Sequence, residues 1–182
     1  IILDLELPDT PEGGLVEPIL KLNIPLIIFT KNVNDEKKYR ETKIADYIVK
    51  TGAFSIYRTL AVVEQILRNK HINVLVADSS DQEAQEIKKL LGTHKLNVVT
   101  ASDGETALEI IEKIPNFHLL ITEFDLPKIS GLKLIRTLRQ KYNRNQMAII
   151  VVTNNKEKYV SPKCFKSGAN DFIYKGYDRE EF

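Results

Sequence analysis

The sequence predicts an α/β protein with a doubly wound, five-stranded parallel sheet, one full copy being preceded by a partial copy. Two observations carry this. Short strand-like apolar runs alternate with helical stretches along the 182 residues, as successive βα units require and hairpins do not. One series of landmarks is also written twice: Asp4, Pro8, Gly14, Thr30 and Lys50, then Glu123, Pro127, Gly131, Thr153 and Lys175. In each series an acid, a threonine and a lysine close strand-like runs, so parallel strands deliver all three to one sheet edge.

In the first copy, residues 1–3, 26–30 and 47–49 read as strands. Residues 15–22 and 35–43 read as helical stretches between them, with Pro18 in a first turn, where no backbone donor is needed. Residues 55–69 form a longer helix whose Leu60, Val63 and Leu67 share one face. That stripe fits either packing on its own sheet or a seam with a second copy. In the second copy, residues 73–77, 96–101, 118–122, 148–153 and 171–174 read as strands. Residues 81–91, 105–114, 132–142 and 157–166 read as helices, with Ala84, Ile87, Leu90 and Leu91 at helical spacing in the first of them. Asp103-Gly104 turns the chain into the second helix, Pro115 ends it, and a fifth helix is expected to begin at Glu180. The boundary between copies falls near residues 69–71. The first copy lacks two strands and two helices that the second has. Residues 1–3 are therefore expected to be an open apolar edge that missing elements or another chain would pair.

Composition narrows the function. Lys+Arg 26 against Asp+Glu 25 offers no bulk charge for nucleic acid or membrane surfaces. No apolar run approaches the length of a membrane span. Ile1-Ile2-Leu3-Asp4 has no basic leader, and the lone Cys164 suits a reducing compartment, so a cytoplasmic location is expected. His71, His94 and His118 lack ligand spacing. The basic stretch 31–43 also holds acids and reads as a solvated face. No G-x-G-x-x-G follows a strand, no G-x-x-x-x-G-K-[ST] occurs, and neither Ser79 nor Ser80 sits in G-x-S-x-G.

Several stretches resemble response-regulator receiver domains, the CheY-like modules of two-component signalling. In the second copy they are Val74-Leu75-Val76-Ala77-Asp78-Ser79, Asp125-Leu126-Pro127, Gly131-Leu132, Val152-Thr153 and Gly168-Ala169-Asn170-Asp171-Phe172. In the first they are Ile2-Leu3-Asp4, Leu7-Pro8, Phe29-Thr30 and Ala45-Asp46-Tyr47-Ile48-Val49-Lys50. The resemblance implies a receiver (flavodoxin-like) fold and an aspartate phosphorylated by a histidine kinase or phosphotransfer protein. It makes Asp4 the phosphoacceptor, Thr30 and Lys50 the groups that hold the phosphoryl oxygens, and Tyr47 the switch aromatic. Mg²⁺ would be held by Asp4 and the Glu6 backbone carbonyl with residues outside this sequence.

The second copy departs from the pattern. Glu123 replaces the acceptor, Ser79 replaces one of two metal acids beside Asp78, and Gly176 follows Lys175 where the family has proline; Thr51 follows Lys50. Both of those peptide bonds are expected to be trans. With Thr153, Phe172 and Lys175 retained, this copy reads as a pseudo-receiver that needs no metal. Glu123 could mimic a phosphorylated aspartate, or form only an ion pair with Lys175. The chain is also similar to tandem-receiver diguanylate cyclases, which implies a GGDEF output domain making cyclic di-GMP. No G-G-[DE]-E-F occurs here, so this stretch is not expected to be that enzyme. A phosphorylation-independent dimerisation scaffold and an enzyme of another doubly wound family are the alternatives.

Overall fold

The computed structural model describes residues 1–114 and 116–176. The expected helix stop at Pro115 and the expected helix from Glu180 lie outside the described residues. The chain divides into two compact units, Ile1–His71 with Leu90–Leu96, and Ile72–Lys89 with Asn97 onward.

The first unit is a three-stranded parallel sheet in the order β1-β2-β3: β1 Ile2–Leu3, β2 Ile27–Thr30 and β3 Asp46–Val49. Helices α1 (Val16–Leu20) and α2 (Glu36–Arg40) connect the strands, and α3 (Ala53–Asn69) follows them. Strand side chains alternate between faces. Leu3, Ile28 and Tyr47 pack with Val16, Tyr39 and Ile44 on one side, whereas Ile27 and Ile48 pack under Ile66 of α3 on the other. The expected open edge is present: Ile1 and Ile2 are 47% and 52% exposed.

The stripe on α3 packs on its own sheet only in part: Val63 lies against the cluster of Ile27, Ile48 and Ile66. Leu60 and Leu67 are 59% and 62% exposed, while Ser55, Thr59, Ile66 and Asn69 are buried. The reason is rotational: the 55/59/62/66/69 row faces the sheet, and the 56/60/63/67 row lies about a quarter-turn or more round the cylinder.

The second unit is a five-stranded parallel sheet in the order β5-β4-β6-β7-β8: β4 Asn73–Ala77, β5 Asn97–Ala101, β6 Phe117–Glu123, β7 Ala148–Thr153 and β8 Asp171–Tyr174. Its helices are α4 (Asp81–Gly92), α5 (Gly104–Lys113), α6 (Gly131–Arg139) and α7 (Val160–Ser167). Central strands buried on both faces read as continuous apolar runs, as Val74-Leu75-Val76-Ala77 does. One core joins Leu75 and Leu120 on the sheet to Leu134, Ile135 and Leu138 of α6, Met147 and Ile149. Cys164 lies in it, fully buried, and burial pushes its thiol up to about 11. Among the described residues no peptide bond is cis, so Lys50–Thr51 and Lys175–Gly176 are trans as expected.

The landmark glycine of this copy is fixed by sterics. A Cβ on Gly131 would stand 2.1 Å from the backbone oxygen of Glu123, so α6 enters beside the acid-bearing strand only as glycine. At Gly14 of the first copy the nearest approach is 3.0 Å, to the Pro11 oxygen.

Candidate functional site

Parallel pairing brings the strand ends together, and with them the acid, threonine and lysine of each copy. In the first copy, Asp4 lies just past β1 and Lys50 just past β3, and the Lys50 ammonium pairs with Asp4 Oδ2. The Lys50 ammonium also lies 5.3 Å from the Phe29 ring centroid, within cation–π range. Their side chains are 27% and 31% exposed, so the pair is open to a small reactant. Burial pushes the Asp4 carboxyl up. Lys50, the Glu6 N–H at 3.3 Å and the Thr30 hydroxyl outweigh it and hold the group below the usual carboxylate range. Thr30 is fully buried, and its Oγ1 accepts the Asn32 N–H at 3.3 Å. Tyr47 is buried and stacks on Tyr39 with ring centroids 6.1 Å apart, and its hydroxyl donates to the Asn32 carbonyl at 2.7 Å. Burial first, and the nearby acids Asp35 and Glu36 second, push that phenol up to about 12. Tyr47 therefore donates its proton across the whole neutral range.

The second copy has the same layout with different chemistry. Lys175 Nζ lies 2.9 Å from Asp78 Oδ2 and 2.9 Å from Glu123 Oε1, and it also pairs with Glu83. The Lys175, Asp78 and Glu123 side chains are 8%, 2% and 14% exposed. Glu123 is held at its other oxygen by Ser79, whose N–H and hydroxyl donate to Oε2 at 3.0 and 2.6 Å. Burial raises the Glu123 carboxyl, but the Ser79 bonds and Lys175 outweigh it, and the group sits below its usual value. For Asp78 burial prevails over the Ser80 N–H and Lys175, and its carboxyl is raised. Burial depresses Lys175, but three carboxylates overcome this and push its ammonium well above the ordinary lysine value.

Asp78, Ser79, Glu123 and Lys175 thus meet. Thr153 and Phe172 stand at their expected strand positions without joining the cluster. Thr153 Oγ1 accepts the Asn155 N–H at 3.0 Å. Half-buried Phe172 packs edge-on to Tyr174 with centroids 4.7 Å apart. Glu83 is the participant that sequence reasoning missed. It sits in the first turn of α4, the helix that begins just after Asp78. That placement is the signal that could have found it: a first-turn acid returns to the strand end its helix has just left.

Magnesium prefers near-octahedral oxygen coordination. The second copy does not fit it, because a lysine ammonium already stands among its three carboxylates. The first copy offers Asp4 and the Glu6 carbonyl. Among the described residues no group of three His, Cys, Asp or Glu side chains is placed to hold a metal ion.

Comparison with known proteins gives the family. The response regulator receiver domain family matches residues 74–182. The two-component response regulator ORR3 of Oryza sativa subsp. indica is 26% identical over 103 residues, covering 57% of this chain and 79% of that protein. A crystal structure described as a two-component system response regulator/GGDEF domain protein is 31% identical with a TM-score of 0.85. It covers 99% of this chain, which spans 74% of that one. A receiver domain protein from Clostridium thermocellum is 27% identical with a TM-score of 0.55, over 60% of this chain and 86% of its own. The chain therefore belongs to the response-regulator receiver family of two-component signalling. Over 99% of its length it is similar to structures described as two-component system response regulator/GGDEF domain proteins.

Proposed function

We propose that this chain is a tandem receiver module in which Asp4 accepts a phosphoryl group and the second copy does not. Residues 1–69 would be the C-terminal part of one receiver, from its third strand onward, with its linker helix; residues 70–182 would be a pseudo-receiver. The observation that carries the reading is the contrast in access. Asp4 faces one lysine in a half-open site, whereas Glu123 is fastened at both oxygens and largely covered.

At Asp4 a carboxylate oxygen attacks the phosphorus of a phosphohistidine on a kinase or phosphotransfer protein. The new P–O bond forms as the P–N bond breaks, and the electron pair leaves on the imidazole nitrogen. Lys50 and the Thr30 hydroxyl hold the phosphoryl oxygens as charge builds on them. Mg²⁺, held by Asp4, the Glu6 carbonyl and ligands outside this sequence, would neutralise part of that charge.

In the second copy Glu123 is bonded by Ser79 and Lys175, while the Thr153 hydroxyl oxygen takes the Asn155 N–H rather than the carboxylate. A carboxylate that leaves the threonine unengaged supports an ion pair over a phosphoaspartate mimic. The pseudo-receiver then acts as a fixed partner within a cytoplasmic signalling protein whose output domain, by likeness to the GGDEF structures, is a diguanylate cyclase.

The test is incubation of the full-length protein with Mg²⁺ and acetyl phosphate, followed by intact mass. One phosphoryl group, lost in Asp4→Ala and kept in Glu123→Ala, supports the reading; no uptake by the wild type defeats it. A second reading, a phosphorylation-independent homodimer scaffold, is favoured by exposed Leu60 and Leu67 on α3. Dimerisation that persists in Asp4→Ala and is lost in Leu60→Glu would support it.

A further inference from the structure

Asn32 is a node whose polar groups are all engaged. Its backbone N–H donates to Thr30 Oγ1 and its carbonyl accepts from the Tyr47 hydroxyl. Its side-chain oxygen accepts the Asn34 N–H at 2.7 Å. Its amide nitrogen donates to Glu12 Oε1 at 2.5 Å and to Asp35 Oδ2 at 3.3 Å. Glu12 stands on the loop that leaves β1, the Asp4 strand, and Asn32 on the loop that leaves β2, the Thr30 strand. The short, charge-assisted Glu12–Asn32 bond therefore ties the loop behind the acid to the loop behind the threonine. The Asp35 bond is longer and lies within the Thr30 loop's own neighbourhood, so it cannot make that tie.

The consequence reaches Thr30. A hydroxyl has one proton and two lone pairs. With one lone pair taken by the Asn32 N–H, the proton is free to turn toward Asp4, whose carboxyl the Thr30 hydroxyl helps to hold low. The second copy is an internal control. Asn155 repeats Asn32, and its N–H repeats the bond to the threonine. The position that matches Glu12 through the Gly14–Gly131 landmark is Ile129, whose side chain cannot accept a hydrogen bond from an amide. The carboxylate tie accompanies the copy that keeps the aspartate.

We propose that Glu12 is a positioning residue for phosphoryl transfer at Asp4, acting through the Asn32 amide to hold the Thr30 hydroxyl aimed at the acceptor. This rests on the assignment of Asp4 as acceptor. The experiment compares wild type, Glu12→Ala and Glu12→Gln in the full-length protein. The readouts are the rate of acetyl-phosphate-driven phosphorylation and hydrogen exchange at the Asn32 amide. Glutamine keeps an acceptor oxygen where alanine has none. The expected result is uptake slowed roughly tenfold in Glu12→Ala, since small misplacements of a reacting group are costly. The Asn32 amide should exchange faster in the same variant, and Glu12→Gln should stay near wild type in both readouts. Wild-type rates in Glu12→Ala, or equal slowing of both variants with the Asn32 amide still protected, would overturn the proposal. If the wild type itself takes up no phosphoryl group, the Asp4 assignment fails first and the positioning role falls with it. That outcome is recognised because it appears without any substitution.

Discussion

Lys50 and Lys175 follow equivalent strands and hand their backbone N–H groups to equivalent threonines, at 2.7 Å to the Thr30 carbonyl and 2.8 Å to the Thr153 carbonyl. Their surroundings differ. Lys50 serves one carboxylate in a half-exposed site, whereas Lys175 is buried among three. The backbone frame has been kept in both copies while the side chains have taken different work. A lone acid–lysine pair leaves a nucleophile available. A buried lysine bridging three acids makes a structural knot whose acids cannot be spared.

That contrast is broken most sharply at the lysines. Lys175→Met strands the buried Asp78 and Glu123 carboxylates and should cost about 3–5 kcal/mol, the usual penalty for removing one partner of a buried charge pair. Lys50→Met should cost about 1 kcal/mol or less, because its pair is solvent-screened. Urea unfolding of each variant, read by exchange of β2 and β6 amides, separates the two. The pH dependence of Lys175→Met carries a sign. Asp78, raised by burial even beside the ammonium, titrates higher still in the folded state once the ammonium is gone. The folded state then binds more protons than the unfolded one, so the variant should gain stability as pH falls through that raised value. A pH-independent deficit would mean the loss is one of packing rather than charge.

The glycines give the next largest difference. Gly131→Ala drives a Cβ toward the Glu123 backbone oxygen, which no side-chain rotation relieves, and should cost about 1–3 kcal/mol. Gly14→Ala meets its neighbour at 3.0 Å and should cost less than Gly131→Ala. Equal thermal shifts in the two variants would contradict the tighter entry of α6.

The smallest effect is at the aromatics. Tyr47→Phe gives the first copy the residue that the second already has at Phe172. Losing the hydroxyl bond to Asn32 should cost about 1 kcal/mol. Phosphoryl uptake should persist, because Tyr47 touches neither Asp4 nor Lys50 in the hydrogen bonds it makes. Loss of uptake would give the aromatic a part in the chemistry itself.

Much of this was legible in the sequence because parallel strands bury both faces and print as apolar runs. Residues 73–77, 148–153 and 171–174 were read to the residue. The strand-end rule also brought Asp4 to Lys50 and Glu123 to Lys175 without a structure. Side chains that act by reaching back were not legible. Glu83 looks like any helical acid until α4 is placed, and Glu12 and Asn32 are polar loop residues 20 positions apart. Periodicity reports that α3 has an apolar face but not where that face points. Its sheet-facing row contains Ser55 and Thr59, and of the stripe Val63 meets the sheet's cluster while Leu60 and Leu67 stand exposed.

The central claim is that Asp4 alone is the acceptor. It is tested most directly by phosphorylating the full-length protein, reducing the acyl phosphate with borohydride and mapping the modified residue by peptide mass. Reduction converts a phosphorylated aspartate to homoserine, so the account predicts homoserine at position 4 and an unmodified Glu123. A reduced residue at 123, or at neither position while the protein carries phosphate, would contradict it.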